Sequence, residues 1–190
     1  ILTNAHTGGV PSMRAHEDLY AFMTENLTTQ AMIHYLLQCT QITDVNRVLF
    51  VDQQHPDAVD YLSTLTLIGL KEHFGQQCSP LFPAPWIYRD YDGDVSHLYG
   101  RGFGTTRLLD PDLRADNELS GATEELRYQD FDSLVIGSIS RNAVLVEELA
   151  RYFAPDRTIW IHGEDTPPLP EDMHTYRQAG THLFVRSIDV

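Results

Sequence analysis

The stretch that decides the fold of this chain is RVLFVDQQHP, residues 47–56. Its short continuous apolar run, Val48 to Val51, is typical of a strand that is buried on both faces of a parallel sheet. Polar residues follow directly, and Pro56 suits the first turn of a helix. Residues 57–74 then repeat apolar side chains at helical spacing, and Gly75 is a natural stop. Residues 47–75 therefore predict a strand, a short polar loop and an amphipathic helix.

The same order recurs along the chain. Further strand-like runs occupy 76–81, 133–137, 158–161 and 182–185, and helical patterns occupy 119–128, 142–153 and 171–178. In the helix at 142–153 we expect Val144, Leu145, Leu149 and Phe153 to face inward. Because parallel strands need helical crossovers, this alternation predicts an α/β fold with a doubly wound, mostly parallel sheet of the Rossmann or flavodoxin type.

Two helical patterns precede the first strand. They divide the chain into a helical preface, 1–44, and a Rossmann-like α/β domain, 45–190. Thr28 or Thr29 is a candidate cap for the second helix. We expect residues 14–40 to be helical and to bury Leu19, Phe22, Ile33 and Leu37 on the sheet or against another subunit, which would make the chain a homo-oligomer.

The charge balance narrows the possible partners. The chain of 190 residues has 13 Lys and Arg against 27 Asp and Glu, a formal net charge of −14. This argues against nucleic acid and against anionic membrane surfaces, which both need clustered basic residues. No apolar stretch is long enough for a membrane span, and no signal peptide opens the chain.

The two cysteines, Cys39 and Cys78, are expected to be free and buried in a reducing compartment, so we predict a cytoplasmic location; a single long-range disulfide is the alternative. Both chain ends look cut, with no initiating methionine and an apolar run just before Val190. We therefore expect a piece of a longer polypeptide.

A long irregular segment, residues 80–116, interrupts the alternation and is rich in proline, glycine and aromatic residues. Segments of this kind inside a compact domain are often functional. Arg101 and Arg107 are the two arginines of the run GRGFGTTR, which could close over a phosphate or pack on the edge of the sheet. The DYDGD stretch at 90–94 lacks the rest of a calcium loop, so we interpret it as a solvated turn.

Polar clusters follow three of the predicted strands. Ligands of open parallel sheets sit beyond the carboxyl ends of the strands, so these clusters are the candidate site, and we expect them to converge. The cluster after 133–137 could bind an anion at a helix N-terminus; in the alternative, Ser140 caps the helix and Arg141 points to solvent. The other two could supply a general base, or could merely cap turns. The residues are Asp52, then Ser138, Ser140, Arg141 and Asn142, and finally His162, Glu164 and Asp165.

The motifs of common cofactor sites are missing. The cluster at 137–142 matches neither GxGxxG nor a phosphate-binding loop, and His162 has no partner motif such as HExxH. We therefore expect no cofactor and no metal.

Several stretches together resemble a known family. VLFVDQQHPDAVDYLSTLTLIGLKEHFG, YRDY, LYGRGFGTTRLLD, FDSLVIGSISRN, IWIHGED and THLFVRSID are similar to the amino-terminal half of bacterial glycosyltransferase-like proteins with two Rossmann domains. The resemblance covers residues 47–190. It implies a role with surface glycans, and it implies that the sugar nucleotide is bound mostly by the carboxyl-terminal half, which this chain lacks.

Two functions remain open from the sequence. The first is a glycosyltransferase-like domain that binds a glycan acceptor or a nucleotide sugar at the strand ends. In it, Asp52 or one of His162, Glu164 and Asp165 would activate a hydroxyl, and Arg141 or Arg101 would stabilise the leaving diphosphate. The second is a non-catalytic Rossmann-like binding or assembly module.

Overall fold

The computed structural model describes residues 13–42, 44–53, 61–120, 127–164, 167–169, 171, 173–174 and 180–186. Within these residues five parallel strands form one sheet in the order β2-β1-β3-β4-β5. The strands are β1 (Val48–Val51), β2 (Cys78–Pro80), β3 (Ser133–Ile136), β4 (Thr158–His162) and β5 (His182–Val185). The order reverses between β1 and β3, so the sheet is doubly wound and has flavodoxin-like strand order, as predicted.

The helices flank the sheet on both faces. They are α1 (Met13–Asn26), α2 (Thr29–Thr40), α3 (Tyr61–Phe74), the short α4 (Asp116–Ser120) and α5 (Ile139–Leu149). Short 3₁₀ turns link several elements, among them Gly75–Gln77, Pro85–Ile87, Tyr99–Gly102, Pro111–Leu113, Tyr128–Asp130 and Pro155–Arg157. No described helix is long and apolar enough to cross a membrane.

The core has two layers because side chains alternate along each strand. Val48 and Phe50 of β1 point to the layer that contains α2 and α3. Leu49 and Val51 point to the opposite layer, which contains α5. Central strands are therefore apolar on both faces, which explains the continuous apolar runs in the sequence.

Helix α3 is buried on more sides than an amphipathic pattern predicts. Ser63, Thr64 and Lys71 are buried together with the apolar residues of this helix. The sheet covers one side of α3, α2 packs along another, and the segment between β2 and α4 reaches Lys71. Gly69 makes the α2 contact possible, because a Cβ atom at this position would lie 2.8 Å from Ile33.

Both helices of the preface are present, but of the four side chains expected to be buried Ile33 is fully buried and Leu37 of α2 is partly buried. Thr28 caps α2 by accepting a hydrogen bond from the Ala31 amide at 3.1 Å, and Ile33 is fully buried in the cluster that contains β1. In α1, however, Leu19 is 38% exposed and Phe22 is 52% exposed, so neither is buried on the sheet. Their burial against another subunit stays a prediction.

Three further details differ from the sequence predictions. Helix α5 begins at Ile139 and turns Ile139, Asn142 and Leu149 inward, so Val144 lies on the outer face and is exposed. Of the two free cysteines only Cys78 is buried, while Cys39 is exposed. The helix predicted at 119–128 is seen only as α4, and residues 121–126 lie outside the described part, as does most of 171–178.

Candidate functional site

The first part of the candidate site is the buried carboxylate of Asp52, directly after β1. Its side chain is fully shielded from solvent. Arg141 donates to it from Nη2 at 2.8 Å and from Nε at 3.2 Å, and Asn142 donates from Nδ2 at 3.0 Å. The Ser63 hydroxyl donates a further short hydrogen bond. Four hydrogen bonds to one carboxylate offset its loss of hydration, as a buried charge requires.

This network occupies the point where the strand order reverses. Gly137 follows β3, and its amide donates to the Val51 carbonyl at 2.9 Å. A Cβ atom at Gly137 would lie 2.7 Å from Phe50 and closer still to the Ser63 hydroxyl. The absence of a side chain therefore lets α3 and β3 approach each other. The Asp52–Arg141 ion pair thus lies in the region where open parallel sheets usually hold a ligand.

The structure pairs Arg141 with Asp52, a contact that neither alternative for this residue included. Its guanidinium neither points freely to solvent nor presents itself only to an external anion, because its fork is directed at Asp52 and its side chain is only 22% exposed. Ser140 does not cap α5 either: Ser138 holds the N-cap position, and its side chain makes no capping hydrogen bond. Both serine hydroxyls are used elsewhere.

The second part of the site is the Glu164 carboxylate, just beyond β4. Ser138 donates a hydrogen bond to its Oε1 at 3.0 Å, and Ser140 donates a shorter one to the same atom. On the other side, Oε2 lies 3.2 Å from Nδ1 of His162. Glu164 Oε2 and His162 Nδ1 make this ion-pair contact, and neither atom has a hydrogen-bond partner in the described structure. Glu164 thus links α5 to an imidazole at the end of β4.

Glu164 is poised to be ionised at neutral pH. Partial burial opposes ionisation, but the hydroxyls of Ser140 and Ser138, a backbone amide and the nearby His162 together lower the pKa of its carboxyl. The Glu164 side chain is 27% exposed and that of His162 is 12% exposed, although the Glu164 Oε2 and His162 Nδ1 atoms are themselves buried. The pair can therefore orient a hydroxyl group and exchange a proton with it.

Asn142 connects the two parts. Its Nδ2 donates to the Ser138 carbonyl at 2.6 Å as well as to Asp52, and its Oδ1 accepts from the Gln53 amide at 2.8 Å. The structure therefore brings the candidates after β1, β3 and β4 into one continuous hydrogen-bonded set. Asp165 lies outside the described residues.

The two arginines of the glycine-rich run are placed elsewhere. Arg107 donates to the carbonyls of Tyr91 at 2.8 Å and Gly93 at 3.3 Å, within its own loop. Arg101 is exposed and has a left-handed backbone with φ of 56°. The segment as a whole packs beside β2 and α3, where Tyr88 is fully buried and donates to Glu118. No described contact joins Arg101 or Arg107 to Asp52 or Glu164.

Two residues that the sequence analysis did not single out lie at the same edge. Arg186 follows β5; its amide donates to the His162 carbonyl at 2.9 Å, and its Nη1 donates to the Gly163 carbonyl at 3.2 Å. Its guanidinium lies 5.3 Å from the centre of the Tyr61 ring, at the start of α3. The strand-end rule applied to β5 would have found Arg186, but no sequence signal marks Tyr61.

Two cavities among the described residues lie away from this edge. A cleft of about 240 Å³ is lined mainly by apolar residues of α5, β3 and β4. A shallower depression of about 540 Å³ lies along α1 and α2. Neither contains a residue of the hydrogen-bonded set, so the candidate site rests on its side-chain geometry. In the part of the chain that the structure describes, no group of three or more His, Cys, Asp or Glu residues could hold a metal ion.

Comparison of the chain with protein-family models, with curated protein sequences and with solved structures gives no match.

Proposed function

We propose that this chain is the acceptor-side domain of a glycosyltransferase-like protein and that it binds a glycan acceptor at the carboxyl ends of β3 and β4. The observation that carries the proposal is the Glu164 carboxylate, which two serine hydroxyls hold and which lies 3.2 Å from the His162 imidazole. A carboxylate accepts hydrogen bonds and donates none, so its natural partner in a ligand is a hydroxyl group.

The charges of the site favour a sugar hydroxyl over a nucleotide diphosphate next to Glu164. Asp52 and Arg141 pair with each other, and the ionised Glu164 lies just beyond β4, where Arg186 binds the Gly163 carbonyl. A diphosphate at this point would meet a like charge and no glycine-rich phosphate loop. This agrees with the resemblance noted above, in which the nucleotide is bound mostly by the other half of the protein.

In the proposed reaction His162 is the general base and Glu164 positions it. His162 Nδ1 lies 3.2 Å from Glu164 Oε2, and with its proton on Nδ1 the imidazole has Nε2 as the proton acceptor. Nε2 takes the proton of the acceptor hydroxyl while the hydroxyl oxygen forms a bond to the anomeric carbon of the donor sugar. The bond from that carbon to the nucleotide diphosphate breaks, and the diphosphate leaves with the electron pair. Glu164 stabilises the imidazolium that forms.

A second candidate is the non-catalytic binding or assembly module. It is favoured by the exposed apolar side chains of α1, where Leu19, Phe22 and Met23 are each more than one third exposed. It is favoured also by Asp52, because a carboxylate that already accepts four hydrogen bonds is a structural element of the site rather than a base.

Ligand-induced stabilisation distinguishes the two candidates. We expect neutral oligosaccharides to raise the melting temperature more than UDP, GDP or their sugar conjugates do, since a ligand at 100 times its Kd adds about 2.7 kcal/mol of stability. Glu164→Gln should weaken glycan binding roughly 10- to 100-fold, because a hydrogen bond to a charged group contributes about 1.5–3 kcal/mol. Glu17→Gln, on the exposed face of α1, is the matched control and should change nothing.

The alternatives give different results in the same experiment. Stabilisation by nucleotide sugars alone would place the donor on this domain and contradict the acceptor assignment. No stabilisation by any sugar or nucleotide would leave the assembly module as the better explanation.

A further inference from the structure

We infer that α1 is a docking helix, whose apolar face binds a basic amphipathic helix of another protein. The inference concerns a surface apart from the strand-end site and does not depend on the proposed function. It starts from the unusual exposure of a whole helix.

Helix α1 lacks the packing that a helix of its length needs. It has 14 residues, and every described side chain in it is exposed. Isolated helices of about 12–15 residues are marginal in water even when rich in alanine, and most helices gain their stability by packing an apolar face. Interactions with the helix dipole do not help either, since the first turn of α1 has no acidic residue and the last turn has no basic one. A further surface is therefore needed to stabilise α1.

The large apolar side chains of this helix lie on one side. Leu19, Phe22 and Met23 are spaced three and four residues apart, as on one face of an amphipathic helix. Tyr20 and Leu27 widen that face, and the Leu27 amide donates to the Met23 carbonyl at 2.9 Å. All five side chains, which we call the α1 face, are more than one third exposed. An exposed apolar patch of this kind marks a contact with a protein or a membrane.

A depression of about 540 Å³ continues the α1 face onto α2. Met32 and Tyr35 of α2 line it together with Glu25 at the end of α1, and Tyr35 is 60% exposed. A side chain of a bound helix has room to enter this depression. A cation beside that side chain would meet the Glu25 carboxylate.

The charges of α1 decide the kind of partner. The helix carries the carboxylates of Glu17, Asp18 and Glu25 against the single guanidinium of Arg14, and none of these three carboxylates has an ion pair within the described residues. The chain as a whole has a net charge of −14, so a second copy would bring like charges together. Helices that lie on membranes carry Lys and Arg on their polar face, which α1 does not. A helix with an apolar face and flanking Lys or Arg residues matches both the α1 face and its carboxylates.

Fluorescence anisotropy with labelled synthetic peptides tests the inference. The probe is a helical peptide of about 15–20 residues, in which Leu at positions i, i+3, i+4 and i+7 forms the apolar face and Lys fills the other positions. The comparison peptides have Glu in place of Lys, or the same Leu and Lys residues in scrambled order. We expect the amphipathic Leu/Lys peptide to bind the wild-type chain at least tenfold more tightly than either comparison peptide.

Two double variants separate the apolar contact from the charge. Phe22→Ser with Met23→Ser leaves the net charge unchanged and should weaken binding at least tenfold, since both side chains would be buried in the complex. Val144→Ser is the control for loss of an exposed apolar side chain, on the outer face of α5, and should bind as wild type does. Thermal melts of the free variants should match wild type, because no described side chain of α1 is buried.

The charge variant is Glu17→Gln with Glu25→Gln. It should weaken binding several-fold and reduce its dependence on salt concentration. Glu147→Gln with Glu148→Gln removes the same net charge from exposed positions on α5, and it should weaken binding less.

The other outcomes overturn the inference. Equal binding of the Leu/Lys peptide by wild type and by the Phe22→Ser, Met23→Ser variant would show attraction by net charge alone. A doubling of the mass with concentration in sedimentation, lost in the same variant, would assign the α1 face to a second copy. Binding of wild type but not of this variant to phosphatidylcholine vesicles would assign the face to lipid. Glycan binding should be the same in all these variants as in wild type, so failure of this inference and failure of the proposed function are distinguishable.

Discussion

Removal of the Arg141 side chain tests whether the ion pair with Asp52 stabilises the switch point of the sheet, where the strand order reverses between β1 and β3. In the structure, Arg141 provides two of the four hydrogen bonds to a carboxylate that is fully shielded from solvent. Loss of one partner of a buried pair costs about 3–5 kcal/mol. Because the Arg141 side chain is 22% exposed and Asn142 and Ser63 keep their bonds to Asp52, we expect Arg141→Ala to lower the free energy of unfolding by about 2–3 kcal/mol.

The assay is urea denaturation followed by circular dichroism, with the midpoint and slope measured for each variant. A domain of this size has a stability of roughly 5–15 kcal/mol, so the expected loss is a visible shift of the midpoint. Arg141→Lys should lose less, because the charge remains. Arg127→Ala removes only an exposed ion pair and should cost at most about 1 kcal/mol.

A double-mutant cycle with Asp52→Asn isolates the interaction itself. We expect a coupling energy of about 2 kcal/mol between positions 52 and 141. The opposite result is a change in stability of less than about 0.5 kcal/mol for Arg141→Ala, with no coupling to position 52. It would show that the Asp52–Arg141 pair does not stabilise the fold, and Arg141 would again be a candidate for ligand binding.

Three further predictions concern the packing around the site and the stability of the domain. Gly137→Ala should destabilise the protein by about 1–3 kcal/mol in chemical denaturation, since the added methyl would lie 2.7 Å from Phe50. Ser63→Ala in the same chain should recover part of this loss. Unchanged stability of Gly137→Ala would contradict the close approach of Phe50 and Ser63 to this glycine. Lys71→Met should cost about 3–5 kcal/mol by stranding the buried Glu118 carboxylate, and the double variant with Glu118→Gln should regain much of it; an additive loss would refute the pairing. Burial and the neighbouring His34 lower the pKa of His73, so the folded chain binds this proton less readily than the unfolded chain does, and stability should fall as the pH drops below about 6.5. His73→Gln should flatten that part of a melting-temperature profile, whereas His97→Gln in the exposed loop should not.

The fold could be predicted largely from the sequence because its signals are local. A central parallel strand is apolar on both faces, so Val48–Val51, Ser133–Ile136 and Thr158–Ile161 can be recognised without knowledge of their neighbours. The stop at Gly75 and the cap at Thr28 are also properties of a few adjacent residues. Strand, loop and helix then alternate, and the rule for parallel crossovers supplies the architecture.

The site was predictable only as a region. The carboxyl ends of parallel strands share an edge, so the sequence indicated that Asp52, Arg141 and Glu164 lie near one another. Which polar group pairs with which depends on side-chain directions and on contacts across 89 residues of chain, as between Asp52 and Arg141. In the same way, tertiary contacts decide that the Ser140 hydroxyl donates to Glu164 and does not cap α5.

Tertiary packing decided three features of the structure that the spacing of apolar residues in the sequence does not indicate. The glycine at position 137 leaves room for Ser63, whose hydroxyl donates a hydrogen bond to the Asp52 carboxylate that pairs with Arg141. The exposed position of Leu19 and Phe22 depends on whether another surface covers α1, because an apolar helical stripe has the same period in either case. The contact of Tyr61 with Arg186 exists only because α3 begins, and β5 ends, at the same edge of the sheet.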